Sequence, residues 1–528
     1  MTSRNGRTIS LCMIVRDEAE LLPGCLAAAQ GVWDELVVVD TGSTDETRAI
    51  AERFGARVVS FAWVDDFAAA RNVALAEATC DWILVLDADE LLSAEAKTGL
   101  LRVADDWAAG AATVVIKNQL PHGHRREARL LRFFRAHPSI RFTHRIHEDA
   151  SAPVLARLAS TGQALVAVDG RVEHLGYARE RMAQRGKRDR DRRLLDQALA
   201  EDGDDLYAWF KLLEQARFWR DEAEGARAAK GAVEAMGRLD PAALAGLHFG
   251  GELVAMLAWA APGSERARLA VLEAWFARVK PSAALHLARG ELRELVGEPS
   301  AAAQSYLRAL TFKDAPGGLE VATVRPLMGL ARLAIAAGDL EEAGARVREA
   351  LALNSDDVEA LTAAVVLASA TGGEQAVQAL LRSWGSRPDL HAALGEAALL
   401  QGQTQRAVHE LEEASRCSAD ARVQLRLAQA LLADGRVAAA RDLAERLATA
   451  LPEAVLGVLV CDLIEGVDSA LELPLSQREA DAAMRDWVRM LQQRSAAPLL
   501  SRLRAVVPAV EQFFPWLPEF VGVQPGGR

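Results

Sequence analysis

The sequence is short of several things that large protein classes require. Aromatic residues fill only 5% of its 528 positions, and three of them are tyrosines. With so few aromatics beside abundant Ala, Leu, Arg and Glu, the composition favours helix over most of the length. A basic surplus is also missing. The formal net charge is −12, which argues against nucleic acid as the main partner, because phosphate binding needs a dominant basic surface. The five cysteines (Cys12, Cys25, Cys80, Cys417 and Cys461) are odd in number and never stand as C-x-x-C. They read as reduced core thiols of a cytoplasmic protein, not as a disulfide framework or zinc site. Long apolar runs are absent too. MTSRNGRTISLCMIVRDE holds no sustained apolar stretch, and LAGLHFGGELVAMLAWAA is broken by His248, Glu252 and two adjacent glycines. Neither a secretory leader nor an integral membrane segment is expected. No G-x-x-x-x-G-K-[ST] phosphate loop occurs.

What is there divides into two halves of different period. The length allows two or three domains. Over residues 8–175 short apolar runs alternate with helical patterns: TISLCMIV, ELVVVD, ARVVSFAW and WILVLD as strands, with LLPGCLAAAQ, ETRAIAERFG and FAAARNVALAEA as helices. Strands apolar on both faces and separated by helices predict a parallel, doubly wound α/β sheet covered on both sides. From about residue 200 the strand signals stop and amphipathic helices take over. Four segments share a glycine followed five residues later by alanine: Gly297/Ala302, Gly338/Ala343, Gly402/Ala407 and Gly435/Ala440, with a degenerate copy at Gly372/Ala376. The glycine ends one helix and the alanine lets the next pack close, with an insertion, FKDAPGG, after the first copy. A period near 34 with small residues at fixed offsets resembles the tetratricopeptide repeat. The last segment, with VVPAVEQFFPWLPEF, reads as a terminal cap.

The chemistry concentrates at strand ends, where open α/β sheets bind ligands. In DWILVLDADELLS an apolar run meets Asp87, Asp89 and Glu90, and such carboxylates are costly to bury unless their charge is balanced. Arg16 and Asp17 follow CMIV, and Asp40 ends VVVD. The turn after Asp40 carries Ser43 and Glu46 at capping-box spacing. Asp66 stands as the N-cap of a helix bearing Arg71. Glu148 and Asp149 close HRIHED, which also holds His144 and His147, and His174 lies in VEHLGY. The basic stretch 179–193, with interleaved acids, reads as a solvated linker helix.

ISLCMIVRDE, LVVVDTGSTDET, FAAARNVAL and WILVLDADE, in that order and spacing, resemble the GT-A fold of the family 2 glycosyltransferases, and in particular the bacterial branch with tetratricopeptide repeats behind the catalytic domain. LLRFFRAHPSIRF, HRIHED and VEHLGY fit as well. The resemblance implies a Rossmann-like, mostly parallel GT-A domain over residues 1–178, a charged linker helix over 179–200, repeats over 201–450 and a helical cap over 451–528. It further implies a nucleotide-sugar donor, most readily a UDP-sugar, a divalent cation (Mn²⁺ or Mg²⁺), and inversion at the anomeric carbon. Carried over by position, Ile14, Val15, Asp17, Asp40, Arg71 and Asp87 would contact the nucleotide, and Asp87, Asp89 and His174 the metal. Glu148 or Asp149 would be the base. The repeats would present a protein or peptide acceptor or mediate a homodimer. Two alternatives stay open: an enzyme acting on a polysaccharide or lipid-linked acceptor, and an inactive scaffold.

Overall fold

The first strand, β1 (Ile9–Val15), shows how the sequence builds a two-faced sheet. Ile9, Leu11, Met13 and Val15 enter one hydrophobic core and Cys12 enters the other. The next strand, β2 (Glu35–Asp40), does the same, with Leu36 and Val38 on one side and Val37 and Val39 on the other. This is the period-2 alternation of a fully covered strand. The computed structural model describes residues 7–119, 125–175, 180–219, 221–384, 388–417, 420–467, 475, 477–492, 496–506, 514 and 516–522.

The remaining strands are β3 (Arg57–Ser60), β4 (Trp82–Val85), β5 (Glu90–Leu92), β6 (Ala109–Gln119), β7 (Arg125–Arg135), β8 (Ala164–His174) and the two-residue β9 (Gly317–Gly318). Their order is β3-β2-β1-β4-β7-β6-β8-β5, with β9 on β7. The expected parallel arrangement holds for β3, β2, β1 and β4. Beyond β4 the sheet is mixed: β7 runs antiparallel to β4 and β6, β8 runs parallel to β6, and β5 runs antiparallel to β8. Four residues, 86–89, join β4 to β5, yet β7, β6 and β8 separate these strands in the sheet. The mixed half must therefore curve back toward the carboxyl end of β4, which carries the 87–90 turn into a concave face.

Helices α1 (Leu22–Ala29), α2 (Thr47–Arg53), α3 (Phe67–Glu77), α4 (Ala94–Asp105) and α5 (Ser151–Thr161) cover this sheet. Asp66 caps α3 as expected, accepting from the Ala69 N–H at 2.8 Å. The capping box after Asp40 does not form. Helix α2 begins one residue after Glu46, and Asp45 instead accepts from the Thr47 N–H at 3.0 Å. Ser43 is taken by a tertiary contact, accepting from the Asp17 N–H at 3.0 Å.

Helices α6 (Glu180–Glu201), α7 (Leu206–Trp219), α8 (Glu222–Arg238), α9 (Pro241–Gly246), α10 (Gly250–Ala260), α11 (Glu265–Phe276), α12 (Ala283–Leu295), α13 (Pro299–Leu310) and α14 (Val324–Ala336) follow. The chain divides into two compact units. The first joins the sheet to these helices as far as Leu333, and the second holds residues from Ala334 onward. The charged helix α6 is no freely solvated linker. Leu194 and Leu195 are buried, Arg193 forms a two-pronged pair with Asp65, and Arg190 lies over the Phe67 ring. The start of the basic stretch, at Arg179, lies outside the described residues. The FKDAPGG insertion has a structural use: Gly317 and Gly318 pair with Arg129 and Ala128 of β7.

The second unit contains α15 (Leu340–Leu353), α16 (Val358–Trp384), α17 (Pro388–Leu400), α18 (Thr404–Cys417), α19 (Ala421–Ala433), α20 (Val437–Leu447), α21 (Ala454–Glu465), α22 (Gln477–Leu491), α23 (Ala497–Val506) and α24 (Leu517–Phe520). Most of the aromatic tail proposed as a cap lies outside the described residues. The repeat signals hold at the level of atoms. Gly297, Gly338, Gly402 and Gly435 all adopt positive φ, between 73° and 87°, where a side chain would be strained. Ala302, Ala343, Ala407 and Ala440 are fully buried. In the degenerate copy the break falls one residue later, at Gly373, with φ 59° inside α16. Of the five cysteines, Cys12, Cys25 and Cys461 are buried, but Cys80 is only half-buried and Cys417 is exposed, so these two are not core thiols.

Close helix packing makes one stability prediction. Tyr306 of α13 is wholly buried, and a Cβ on Gly290 or Gly329 would stand 2.6 or 2.5 Å from its ring. Gly290→Ala should destabilise the first unit by about 1–3 kcal/mol through overpacking, read as a lower urea midpoint. An unchanged midpoint would mean that the ring can move aside.

Candidate active site

The acidic turn between β4 and β5 meets two arginines that lie far from it in sequence. Arg71, on α3, is 5% exposed. Its Nη2 donates to Asp87 Oδ1 at 2.6 Å and its Nε to Glu148 Oε1 at 2.7 Å. Arg132, on β7, donates through Nη2 to Glu90 Oε1 at 2.6 Å and to Asp87 Oδ2 at 3.3 Å. Glu90, 1% exposed, also accepts the Asp87 N–H at 2.9 Å and so closes the turn. Burial alone would raise the Asp87 pKa. The guanidiniums of Arg71 and Arg132 outweigh it and hold that carboxyl well below the usual range. For Glu90 burial dominates and its pKa is raised. Two guanidiniums thus balance the carboxylates that follow the buried strand.

Asp89 points to a different partner. Its Oδ2 lies 3.0 Å from His174 Nε2, and His174 Nδ1 lies 2.6 Å from Asn118 Oδ1. The Leu175 N–H donates to the Asp89 carbonyl at 2.9 Å. Pairing of β5 with the end of β8 sets this geometry, because Glu90 stands opposite His174 in register. Burial lowers the His174 pKa, but the hydrogen bond to Asp89 and the surrounding carboxylates leave it above the ordinary value. Among the described residues no three His, Cys, Asp or Glu side chains converge as a metal cage. Asp89 and His174 supply one oxygen and one nitrogen, a donor set that suits a divalent cation completing its shell with ligand oxygens and water.

On the other side of β4, Asp40 is 3% exposed and sits in register with Val15. It accepts from the Ser43 N–H at 3.0 Å and from Arg48 Nη1 at 3.0 Å. Burial pushes its carboxyl up, and these partners bring it down below the ordinary range. Asp17, at φ 54°, accepts the Thr44 N–H at 2.7 Å and knits the first two strand ends together. The Val15 carbonyl accepts from Thr41 through both N–H and hydroxyl, and Ile14 is half-buried.

Glu148 and Asp149 diverge. Glu148 Oε1 faces Arg71, and no hydrogen bond to Oε2 is found among the described residues. Asp149 uses both oxygens elsewhere. Oδ1 accepts from the Ser151 hydroxyl at 2.7 Å and Oδ2 pairs with His248 Nε2 at 2.9 Å. Burial raises its pKa, and His248 and Ser151 outweigh that, so it lies below the usual range. The structure thus joins Asp87, Arg71 and Glu148 directly and joins Asp89 to His174. It sets Ile14, Val15, Asp17 and Asp40 at the neighbouring strand ends. Sequence reasoning assigned no role to Arg132, Arg48, Glu90 or Asn118. Glu90 lies in DWILVLDADELLS and Arg132 in LLRFFRAHPSIRF, so either could have been flagged, whereas Arg48 and Asn118 lie in no motif.

Residues 10–161 match the family model described as glycosyl transferase family 2. A TPR repeat-containing protein of Synechococcus elongatus is 47% identical over 206 residues, 39% of this chain and 51% of that protein. The SPbeta prophage-derived glycosyltransferase SunS of Bacillus subtilis is 30% identical over 146 residues, 27% of this chain and 34% of SunS. The chain therefore spans about half the length of the first relative and about a third of the second. Among solved structures, glucosyl-3-phosphoglycerate synthase from Mycobacterium tuberculosis, in complex with Mn²⁺, UDP and glucosyl-3-phosphoglycerate, aligns at 25% identity and TM-score 0.19, covering 21% of this chain and 45% of that one. The pilus biogenesis factor PilW aligns at 17% identity and TM-score 0.32, covering 40% of this chain and 94% of that one. No helix among the described residues is long and apolar enough to cross a membrane. Residues 10–161 of this chain thus form a glycosyl transferase family 2 domain, with a region of tetratricopeptide-like helices behind it.

Proposed function

We propose that this protein is an inverting glycosyltransferase that moves a sugar from a nucleotide-sugar, most readily a UDP-sugar, to a protein or peptide acceptor engaged by its repeats. One observation carries the reading. The buried Arg71 ties the strand-end Asp87 to Glu148, while Asp89 and His174 pair on the adjoining turn. In this reading the base, the acidic turn and the cation-holding pair lie together around the carboxyl end of β4.

In this reading Asp89 and His174 hold a divalent cation, which when bound stabilises negative charge building on the departing diphosphate. Asp40, with the strand ends at Ile14, Val15 and Asp17, receives the nucleotide. Arg71 and Arg132 fix Asp87 so that the turn keeps its shape as the donor enters. Glu148 Oε2 takes the proton of the acceptor nucleophile. The nucleophile then bonds to the anomeric carbon from the face opposite the leaving group, the bond to the diphosphate oxygen breaks, and configuration inverts. Asp149, committed to Ser151 and His248, supports the loop that carries Glu148.

The donor half is tested by calorimetry of UDP binding, with and without Mn²⁺. Wild type should bind in a metal-dependent way and Asp89→Ala should lose at least about tenfold in affinity. Binding that ignores both metal and Asp89 would remove the cation from the reading. The acceptor half predicts that the full chain retains peptide or protein substrates, so a pull-down that retains none would count against it.

A further inference from the structure

The loop that carries Glu148 is closed from outside the sheet. Thr143 and Asp149 exchange backbone hydrogen bonds at 3.0 and 3.1 Å, so the intervening residues form a pinched turn. Within it His144 and His147 both adopt positive φ, 71° and 55°. Such conformations strain non-glycine residues and persist only where the surroundings over-determine them. The surroundings here are helical. Tyr207 of α7 stacks on the His144 ring at 3.8 Å between centroids, and its hydroxyl donates to the His147 carbonyl at 2.8 Å. Just before α10, His248 pairs with Asp149 Oδ2 at 2.9 Å. Ile146, between the two histidines, is buried in the same core as Tyr207, Leu253 and Leu257. Each residue adjoining Glu148 is therefore held from outside residues 10–161, His147 by Tyr207 of α7 and Asp149 by His248 in the turn before α10.

We infer that Tyr207 and His248 are positioning residues, which hold the turn so that Glu148 reaches Arg71 on one oxygen and the acceptor on the other. The inference rests on the reading of Glu148 as the base. It makes the first helices behind the family 2 domain part of the catalytic apparatus. Tyr207 is suited to the task because its hydroxyl meets a backbone carbonyl. That bond survives any change of His147 side chain, and Tyr207→Phe removes it while leaving the stack on His144.

The test uses the full chain with UDP-glucose and Mn²⁺, water as acceptor, and UDP release as the readout. Tyr207→Phe and His248→Leu should each lower kcat about tenfold or more while KM for UDP-glucose stays within about twofold, the pattern of a misplaced base and not of a damaged donor site. His248→Gln keeps a donor for Asp149 and should recover most of the loss. Amide exchange over residues 143–149 should rise in the two impaired variants and return in His248→Gln. A general loss of folding would also lower apparent kcat, but it would quicken exchange throughout the chain and not over 143–149 alone. Glu148→Gln separates the two ideas. If it is dead while Tyr207→Phe and His248→Leu turn over normally, the positioning role is overturned alone. If Glu148→Gln keeps wild-type kcat, the base reading falls and takes this inference with it. The exchange measurement needs no substrate, and unchanged protection of 143–149 in both variants overturns the inference by itself.

Discussion

Glu148→Gln is expected to cut turnover by about a hundred- to ten-thousand-fold, the range general-base groups contribute, with UDP affinity nearly unchanged. Glutamine matches glutamate in shape, and its amide oxygen can still accept from Arg71 Nε, so the 2.7 Å contact survives. What disappears is a carboxylate oxygen able to take a proton. The neighbouring Asp149 offers a control. Both of its oxygens are already engaged, by Ser151 and His248. Asp149→Asn should therefore act through the loop, with a smaller loss accompanied by faster amide exchange over residues 143–149. Steady-state UDP release beside calorimetry for both variants decides the matter. An Asp149→Asn protein as dead as Glu148→Gln, with the loop still protected, would shift the base to Asp149.

The parts of the fold that depend on local chemistry were legible. Apolar runs gave β1, β2 and β4, Asp66 gave a cap, and the glycine-to-alanine spacing gave the repeat joints, because each signal is settled within a few residues. The mixed half was not legible, for two reasons. Strand β7 carries Arg129, Arg132 and Arg135 at intervals of three, a spacing that suits a helix face as well as a strand. In the strand the register with β6 shifts at Arg132, so the series keeps no simple alternation. Arg129 reaches the Val168 carbonyl and Arg132 the acidic turn. In addition, the pairing of β5 with β8 joins residues eighty or more positions apart, which no local pattern encodes. The misplaced capping box has the same origin. Ser43 and Glu46 satisfy the local rule, but Asp17, brought in by the parallel pairing of β1 with β2, claims the Ser43 hydroxyl first. At the candidate site the acidic members could be named from sequence because they cluster at strand ends. Of the two cations that balance them, Arg71 was named from its motif but as a nucleotide contact, and Arg132 was not named, since it stands 45 residues from Asp87.

Arg71→Met should both inactivate the protein and cost it about 3 kcal/mol of stability at neutral pH, the lower end of what breaking a buried ion pair costs. The lower end applies because the Asp87 side chain is 34% exposed and water can partly replace its partner, whereas Glu148, at 14%, is better shielded. Methionine fills most of the arginine stem, so the loss is one of charge more than of packing. The pH dependence has a definite sign. In wild type the folded pKa of Asp87 is depressed, so its contribution is present above the unfolded value near 4 and fades as pH falls. In Arg71→Met, Asp87 keeps only its 3.3 Å contact to Arg132, so that contribution is reduced. The gap between the two urea midpoints should therefore be widest at neutral pH and narrow as the pH drops through about 4. A gap that stays constant across that range would mean that Arg71 stabilises through its packing against Phe142, 5.7 Å from the ring centroid, and not through the two carboxylates it joins.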